Sequence, residues 1–182
     1  MRIGIDNGKD GAVVGVMPDW STVVLEMPIL GNELDERAVY KFLQRMKACS
    51  PHDIYAVLEY AQVMPKQGSV SGFTIGRGYG AMRMALIALE IPFEIVRPRV
   101  WQKDVGIVVP ANVKDRSKRR KIIKEQSVKI VRRRLPSVDL TPGKKRTPQD
   151  GIADAACMAL HATKLQPWRS LPIPPPPPLP GA

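Results

Sequence analysis

The sequence predicts an α/β protein built on a mixed five-stranded sheet flanked by helices. Short apolar runs crowd its start, RIGID (2–6), AVVGVM (12–17) and TVVLEM (22–27), separated only by turn residues. Two further runs, IYAVLEY (54–60) and PFEIVRP (92–98), are set off by stretches of helical periodicity. Helical segments follow the last strand, so strands and helices must share one layered core.

RIGID and AVVGVM are joined through DNGKDG, whose Asn-Gly and Asp-Gly pairs suit a tight connection. TVVLEM follows the turn PDWS, and three strands so close together predict an antiparallel meander. DERAVYKFLQRMKA (35–48) brings Val39, Phe42, Leu43 and Met46 to one helical face, with Asp35 and Glu36 at the positive end of the helix dipole. After the fourth strand, the glycine-rich stretch AQVMPKQGSVSGFTIGRGYG (61–80) is expected to be a long functional loop. A helix over AMRMALIALE (81–90), begun near Gly76, leads to the fifth strand. A basic helix from Arg116 to Leu135 turns Ile123, Ser127, Ile130 and Val131 inward and Lys118, Arg119, Lys121, Lys129, Arg132 and Arg133 outward. GKKR (143–146) adds a second basic knot, and DGIADAACMALHATK (150–164) reads as an amphipathic helix opening on acids. From Pro167 the sequence PWRSLPIPPPPPLPGA cannot form a core and is expected to be an exposed polyproline II segment. The expected organisation is one domain over 1–166 and a disordered proline-rich tail over 167–182, with an SH3-like partner for the tail the lesser expectation.

At 182 residues and 44% apolar composition, one domain with an ordinary core is accommodated. Lys and Arg total 28 against 17 Asp and Glu, a formal charge of +11 that points to a polyanion, nucleic acid before membrane. Cys49 and Cys157 belong to no CxxC or Cys/His cluster, so a zinc site is not expected, and Cys157 within AACMAL is expected to pack in the core. No run approaches a membrane helix and no signal peptide is read, so the expected location is the cytoplasm of a bacterial or phage-infected cell.

The chemistry candidates are Asp6, Glu59, Asp150 and Asp154. Asp6 and Glu59 each end an apolar strand, while Asp150 and Asp154, four apart, share a helical face. Converging carboxylates repel, and hard divalent ions are the usual remedy: Mg²⁺, with Mn²⁺ as the alternative, two ions per site. Such a pair hydrolyses phosphodiesters, and the central Asp6 would bridge the two ions. Each acid also has an ordinary reading: Asp6 as the start of an Asx turn, Glu59 facing solvent, Asp150 as a helix N-cap. A GID opening before a glycine turn is also found in sugar kinases and Hsp70-type ATPases, but those need two such lobes and a far longer chain.

The stretches IGIDNGKDGAVVGV, YAVLEYAQVMPKQG, GRGYGAMRMALIALEIPFEIVRPRVWQK and DGIADAACMALHA resemble the RNase H-like superfamily, and within it the RuvC-type Holliday junction resolvases. They are most similar to the phage and chloroplast, MOC1-like branch. The resemblance implies an RNase H-like fold with strands 1–3 antiparallel and the later strands parallel. It carries the family's strand-one aspartate onto Asp6, the strand-four glutamate onto Glu59 and the last helix's acids onto Asp150 and Asp154, spaced one residue wider than in bacterial RuvC. It implies a homodimer that cuts opposed strands of a four-way junction, with Met64 or Phe73 in the place of an aromatic wedge. Lys66, Arg77, Arg83, Arg97 and Arg99 would surround the cleft, and Lys118, Arg119, Lys144, Lys145 and Arg146 would track phosphates. Trp101 resembles a family tryptophan expected to be buried, and His161 is expected on the helix surface. The expected function is a Mg²⁺-dependent endodeoxyribonuclease resolving Holliday junctions or other branched DNA in recombination, repair or phage DNA processing. The alternatives are an RNase H-type or flap nuclease, or a non-catalytic DNA-binding protein on the same fold.

Overall fold

In chain order the elements of the computed structural model are β1 (Arg2–Asp6), β2 (Ala12–Val16), β3 (Thr22–Glu26), β4 (Ile29–Leu30), β5 (Glu33–Leu34), α1 (Glu36–Cys49), β6 (Tyr55–Glu59), α2 (Ser69–Ala88), β7 (Phe93–Val96), α3 (Pro98–Val105), α4 (Arg116–Arg134) and α5 (Asp150–Leu165). The structure describes residues 1–62 and 68–168. Met64, Lys66 and the proline-rich segment from Arg169 onward lie outside the described residues.

The main sheet runs β3-β2-β1-β6-β7. β1–β2 and β2–β3 pair antiparallel, while β1–β6 and β6–β7 pair parallel, as the order of the elements predicts. The period of two along β1 sorts its side chains. Ile3 and Ile5 enter a core layer with Leu43, Met46, Met82 and Leu86 of α1 and α2. The opposite face carries Val14, Val16 and Val57 against α3, α4 and α5, including Trp101, Val131 and Met158. Helices therefore cover both faces, with β1 at the centre.

α5 lies directly on β1, and glycines make this approach possible. A Cβ on Gly4 would sit 2.0 Å from the Ala155 carbonyl oxygen and 2.4 Å from the Ala159 nitrogen. A Cβ on Gly151 would sit 2.0 Å from the Asp10 carbonyl oxygen and 2.6 Å from the Gly11 Cα. Gly151, with no side chain, thus lets the start of α5 seat against the β1–β2 turn.

Several expectations need correcting. Residues 69–80 are helical, not loop: α2 begins at Ser69, well before Gly76. Extending an existing helix adds one bond per residue, whereas starting one is costly, so the strongly helical MRMALIA carries the glycine-containing turns along with it. A further helix, α3, follows the fifth strand, with Pro98 in its first turn and Gly106 in the left-handed conformation (φ 94°) at its end. His161 is buried, 4% exposed, because α5 is covered nearly all round, and its Nδ1 lies 2.8 Å from Asp104 Oδ2 on α3.

At the other end of the sheet, the buried Arg2 guanidinium pairs with Asp53 at 2.7 Å and donates to the carbonyls of Gln166 and Pro167. Trp168 meets Trp20 edge-to-face, with ring centroids 5.1 Å apart. Pro167 and Trp168, assigned above to the tail, therefore pack on the body. Among the described residues no helix is long and apolar enough to cross a membrane.

Candidate active site

Ile5 pairs with Leu58 across β1 and β6, so the next residues, Asp6 and Glu59, leave the sheet side by side at the same strand ends. Alternation turns both toward α5, the face already carrying Gly4 and Val57. On α5, Asp150 opens the first turn and Asp154 follows one turn later, with Gly151 seating that turn against Asp10 and Gly11. All four acids line one cleft of roughly 870 Å³. Arg116, Arg119, Arg120 and Lys124 of α4 line it as well.

Each carboxylate has its own local partner. The Gly8 amide donates to Asp6 Oδ1 at 3.0 Å, so Asp6 does make the Asx turn, and that turn fixes one of its oxygens. Trp101 Nε1–H donates to Glu59 Oε1 at 2.9 Å; Trp101 is buried, as expected, but it also reaches the site. Lys124 forms an ion pair with Asp150. Asp154 Oδ1 is buried without a hydrogen-bond partner.

Burial, opposed by the Gly8 amide, raises the Asp6 carboxyl above its usual range, with the nearby Asp10 charge adding to the effect and Lys124 countering it. Glu59 is pushed up to about 7, first by burial and then by the charge of Asp6, against the pull of the Trp101 N–H. Asp154 is also pushed up to about 7, first by burial, with Ser127 opposing and Asp6 and Asp150 adding repulsion. The acids feel one another through a poorly solvated cleft.

Among the described residues, no three His, Cys, Asp or Glu groups are already gathered in a metal-holding set. The donor set still fits a hard divalent cation. It is all oxygen, it is held electrostatically uphill, and Asp154 Oδ1 is a buried acceptor with nothing to accept.

The basic residues named from the sequence divide by position. Arg119 lines the acid cleft and also donates to the Val113 carbonyl at 3.0 Å. Lys118 is exposed on the first turn of α4, and Lys144 and Arg146 are exposed in the loop before α5. Lys145 pairs with Glu26 of β3. Arg97 stacks over Tyr60 at 5.5 Å, Arg99 is exposed on α3, and Arg83 points outward over Tyr79 at 5.8 Å. Phe73 and Arg77 line a second chamber that adjoins the cleft at Asp6 and Glu59. Arg116, Arg120 and Lys124 were not singled out from the sequence. Their spacing of four along α4 was the available signal, since it stacks them on one helical stripe. Trp101 as a partner of Glu59 had no such signal.

No family model and no curated protein sequence matches the chain. Its structure is similar to that of RuvC from T. thermophilus in complex with a Holliday junction substrate, at 16% identity over 87% of this chain and 89% of that one, with a TM-score of 0.53. A second Thermus thermophilus RuvC structure matches at 15% identity over 87% and 90% of the two chains, with a TM-score of 0.51. The yeast mitochondrial Holliday junction resolvase aligns at 16% identity over 86% and 75%, with a TM-score of 0.43. The fold is the RNase H-like fold of RuvC, as the motif resemblance implied. These neighbours do not single out the MOC1-like branch.

Proposed function

We propose that the protein is a divalent-metal-dependent endonuclease for branched DNA, with the four-way junction as its substrate. One observation carries the reading: Asp6, Glu59, Asp150 and Asp154 meet on one cleft of an RNase H-like fold, beside a basic helix. The T. thermophilus RuvC of the same fold was captured with a Holliday junction substrate, which favours a junction over a simple duplex.

Asp6, Glu59, Asp150 and Asp154 would hold the ions, two Mg²⁺ or Mn²⁺, with Asp6 central. When bound, such ions supply an activated water and neutralise charge building on the phosphate and the leaving 3′ oxygen. The chain's own groups prepare the site. The Gly8 amide fixes Asp6, and the Trp101 N–H holds one oxygen of Glu59, leaving the other free. Lys124 forms an ion pair with Asp150. Arg116, Arg119 and Arg120 stand where a phosphate entering the cleft would meet them. Beyond the cleft, Lys121, Lys129 and Arg132 continue the positive track along α4.

Two opposed cuts need two sites, so the working unit would be a homodimer. The exposed stripe of Val70, Met84 and Ile87 on α2, with open space above Gly76 and Gly80, supports a partner on that face. The work would be recombination, repair or phage DNA processing in the cytoplasm, where the exposed free thiol of Cys49 suits reducing conditions.

The test offers labelled four-way junction, flap, duplex and RNA–DNA hybrid side by side, with Mg²⁺, Mn²⁺ or chelator. Metal-dependent cleavage of the junction above the others is expected, yielding 5′-phosphate and 3′-hydroxyl ends. Asp6→Asn is expected to abolish cutting and keep junction binding, and equal cleavage by that variant would sink the assignment.

A further inference from the structure

We infer that His161 is a positioning residue for Glu59, acting through Asp104 and the short helix α3 to hold the Trp101 indole against that carboxylate. The inference rests on the nuclease reading above, which makes Glu59 a ligand of the site, and adds to it the support that aims this ligand.

α3 runs only from Pro98 to Val105, and a helix of two turns has little stability of its own. Its seat is therefore set by what it touches. Trp101 and Asp104, three residues apart, share one side of it. Trp101 crosses to β6 and donates to Glu59 Oε1 at 2.9 Å. Asp104 crosses to α5, where its Oδ2 meets His161 Nδ1 at 2.8 Å and its Oδ1 meets Lys164 Nζ at 3.2 Å. On α5, His161 stands two turns beyond Asp154, on the same helical face and about 10 Å further along the axis. One end of that face thus supplies an acid of the cleft, and the other grips the helix that steadies a second acid.

The orientation of the ring follows from its partner. Burial works against it, but hydrogen bonds from His161 and Lys164 hold the Asp104 carboxyl below the usual carboxylate range, so it is ionised and only accepts. The Nδ1 proton therefore faces Asp104. Nε2 is buried with no partner, so among the described residues the Asp104 contact is the single hydrogen bond of the imidazole. A buried ring with one nitrogen unpaired is a costly filler beside Met158, Ala159, Leu160 and Ala162. Leucine would fill the space without that cost, but leucine cannot hold Asp104. Lys164 is no substitute, because its side chain is 48% exposed and surface ion pairs contribute little.

A donor on a carboxylate weakens steeply as its distance and angle drift. Releasing the Asp104 end of α3 lets Trp101 drift from Glu59, and complete loss of that bond is the upper limit of the effect.

Indole N–H NMR of the metal-free protein reads the link directly. The chain has three tryptophans, and the indole signal missing from Trp101→Phe belongs to Trp101. In His161→Leu that signal is expected to move upfield and to exchange with deuterated water about tenfold faster. His161→Asn, whose amide N–H stands in for Nδ1–H, is expected to restore most of both. The Mg²⁺ concentration for half-maximal junction cleavage should rise roughly threefold to tenfold in His161→Leu. In the double variant of His161→Leu with Trp101→Phe it should rise no further than in Trp101→Phe alone. If His161→Leu does not fold, Asp104→Ala, at a side chain 32% exposed, cuts the same link from the other end. An indole signal unmoved in the folded variant, or cleavage effects that add in the double variant, overturns the positioning role and leaves the nuclease reading standing. Wild type that cuts no branched DNA overturns the nuclease reading, and the indole signal still decides whether His161 holds Trp101.

Discussion

Trp101→Phe removes the hydrogen bond to Glu59 from the acid cleft. Phenylalanine keeps an aromatic ring in a site where the native side chain is 1% exposed, and it loses the donor that reaches Glu59 at 2.9 Å together with part of the buried indole. A hydrogen bond to a charged group contributes about 1.5–3 kcal/mol. That bond favours the carboxylate over the acid, so its loss raises the Glu59 pKa. At about 1.4 kcal/mol per pH unit, the rise is roughly one to two units, upward from a value already near 7. At neutral pH Glu59 in the variant is then mostly protonated and a poor ligand for a cation. Carboxyl NMR of the metal-free protein should show Glu59 titrating one to two units higher in the variant. The Mg²⁺ concentration for half-maximal cleavage should rise about tenfold at pH 7, and the two proteins should converge above pH 9. A folded variant in which Glu59 titrates where it does in wild type would refute the assigned role of Trp101.

Two further outcomes test the electrostatics and the packing. Glu59 and Asp154 both have folded-state values near 7, above their ordinary 4.5 and 3.8, so the stability they contribute is complete below about pH 4 and is lost as pH rises through 7. Metal-free protein should therefore melt several degrees lower at pH 7.5 than at pH 5. Asp6→Asn should shrink the difference because Asp6 repels both acids, and a Tm that holds or rises across that window in calorimetry contradicts the picture. Gly4→Ala places a methyl 2.0 Å from a main-chain oxygen of α5 and should cost about 3 kcal/mol or more. In Gly151→Ala the clash is with the β1–β2 turn, so cleavage should fall with junction binding kept, and a Tm and rate within error of wild type in both would exclude the proposed contact.

The strands and the acids at their ends were legible because alternation is a strong local signal, and a charge closing an apolar run stands out against it. Asp6 and Glu59 needed only the pairing of two strands to meet. The small hairpin was not legible, since Ile29–Leu30 and Glu33–Leu34 are too short to show a period. Glycines 72, 76, 78 and 80 signal turns, yet the helix runs through them, because a helix once started extends at little cost. The Pro98-to-Gly106 frame of α3 was written in the sequence but is short enough to pass for a loop. The partners Trp101, Lys124 and Asp104 are chosen by packing between residues far apart in the chain, and no local pattern carries that information.

At Gly4 and Gly151 the strand and the helix that carry opposite halves of the acid set touch main chain to main chain. A joint of that kind has no rotamers to rearrange. The apolar layers on either side of the sheet can change composition, and the carboxylates stay in step because none of those side chains lies between them. Substitutions within the apolar layers therefore leave this joint untouched, whereas any side chain added at Gly4 or Gly151 strikes main chain at once.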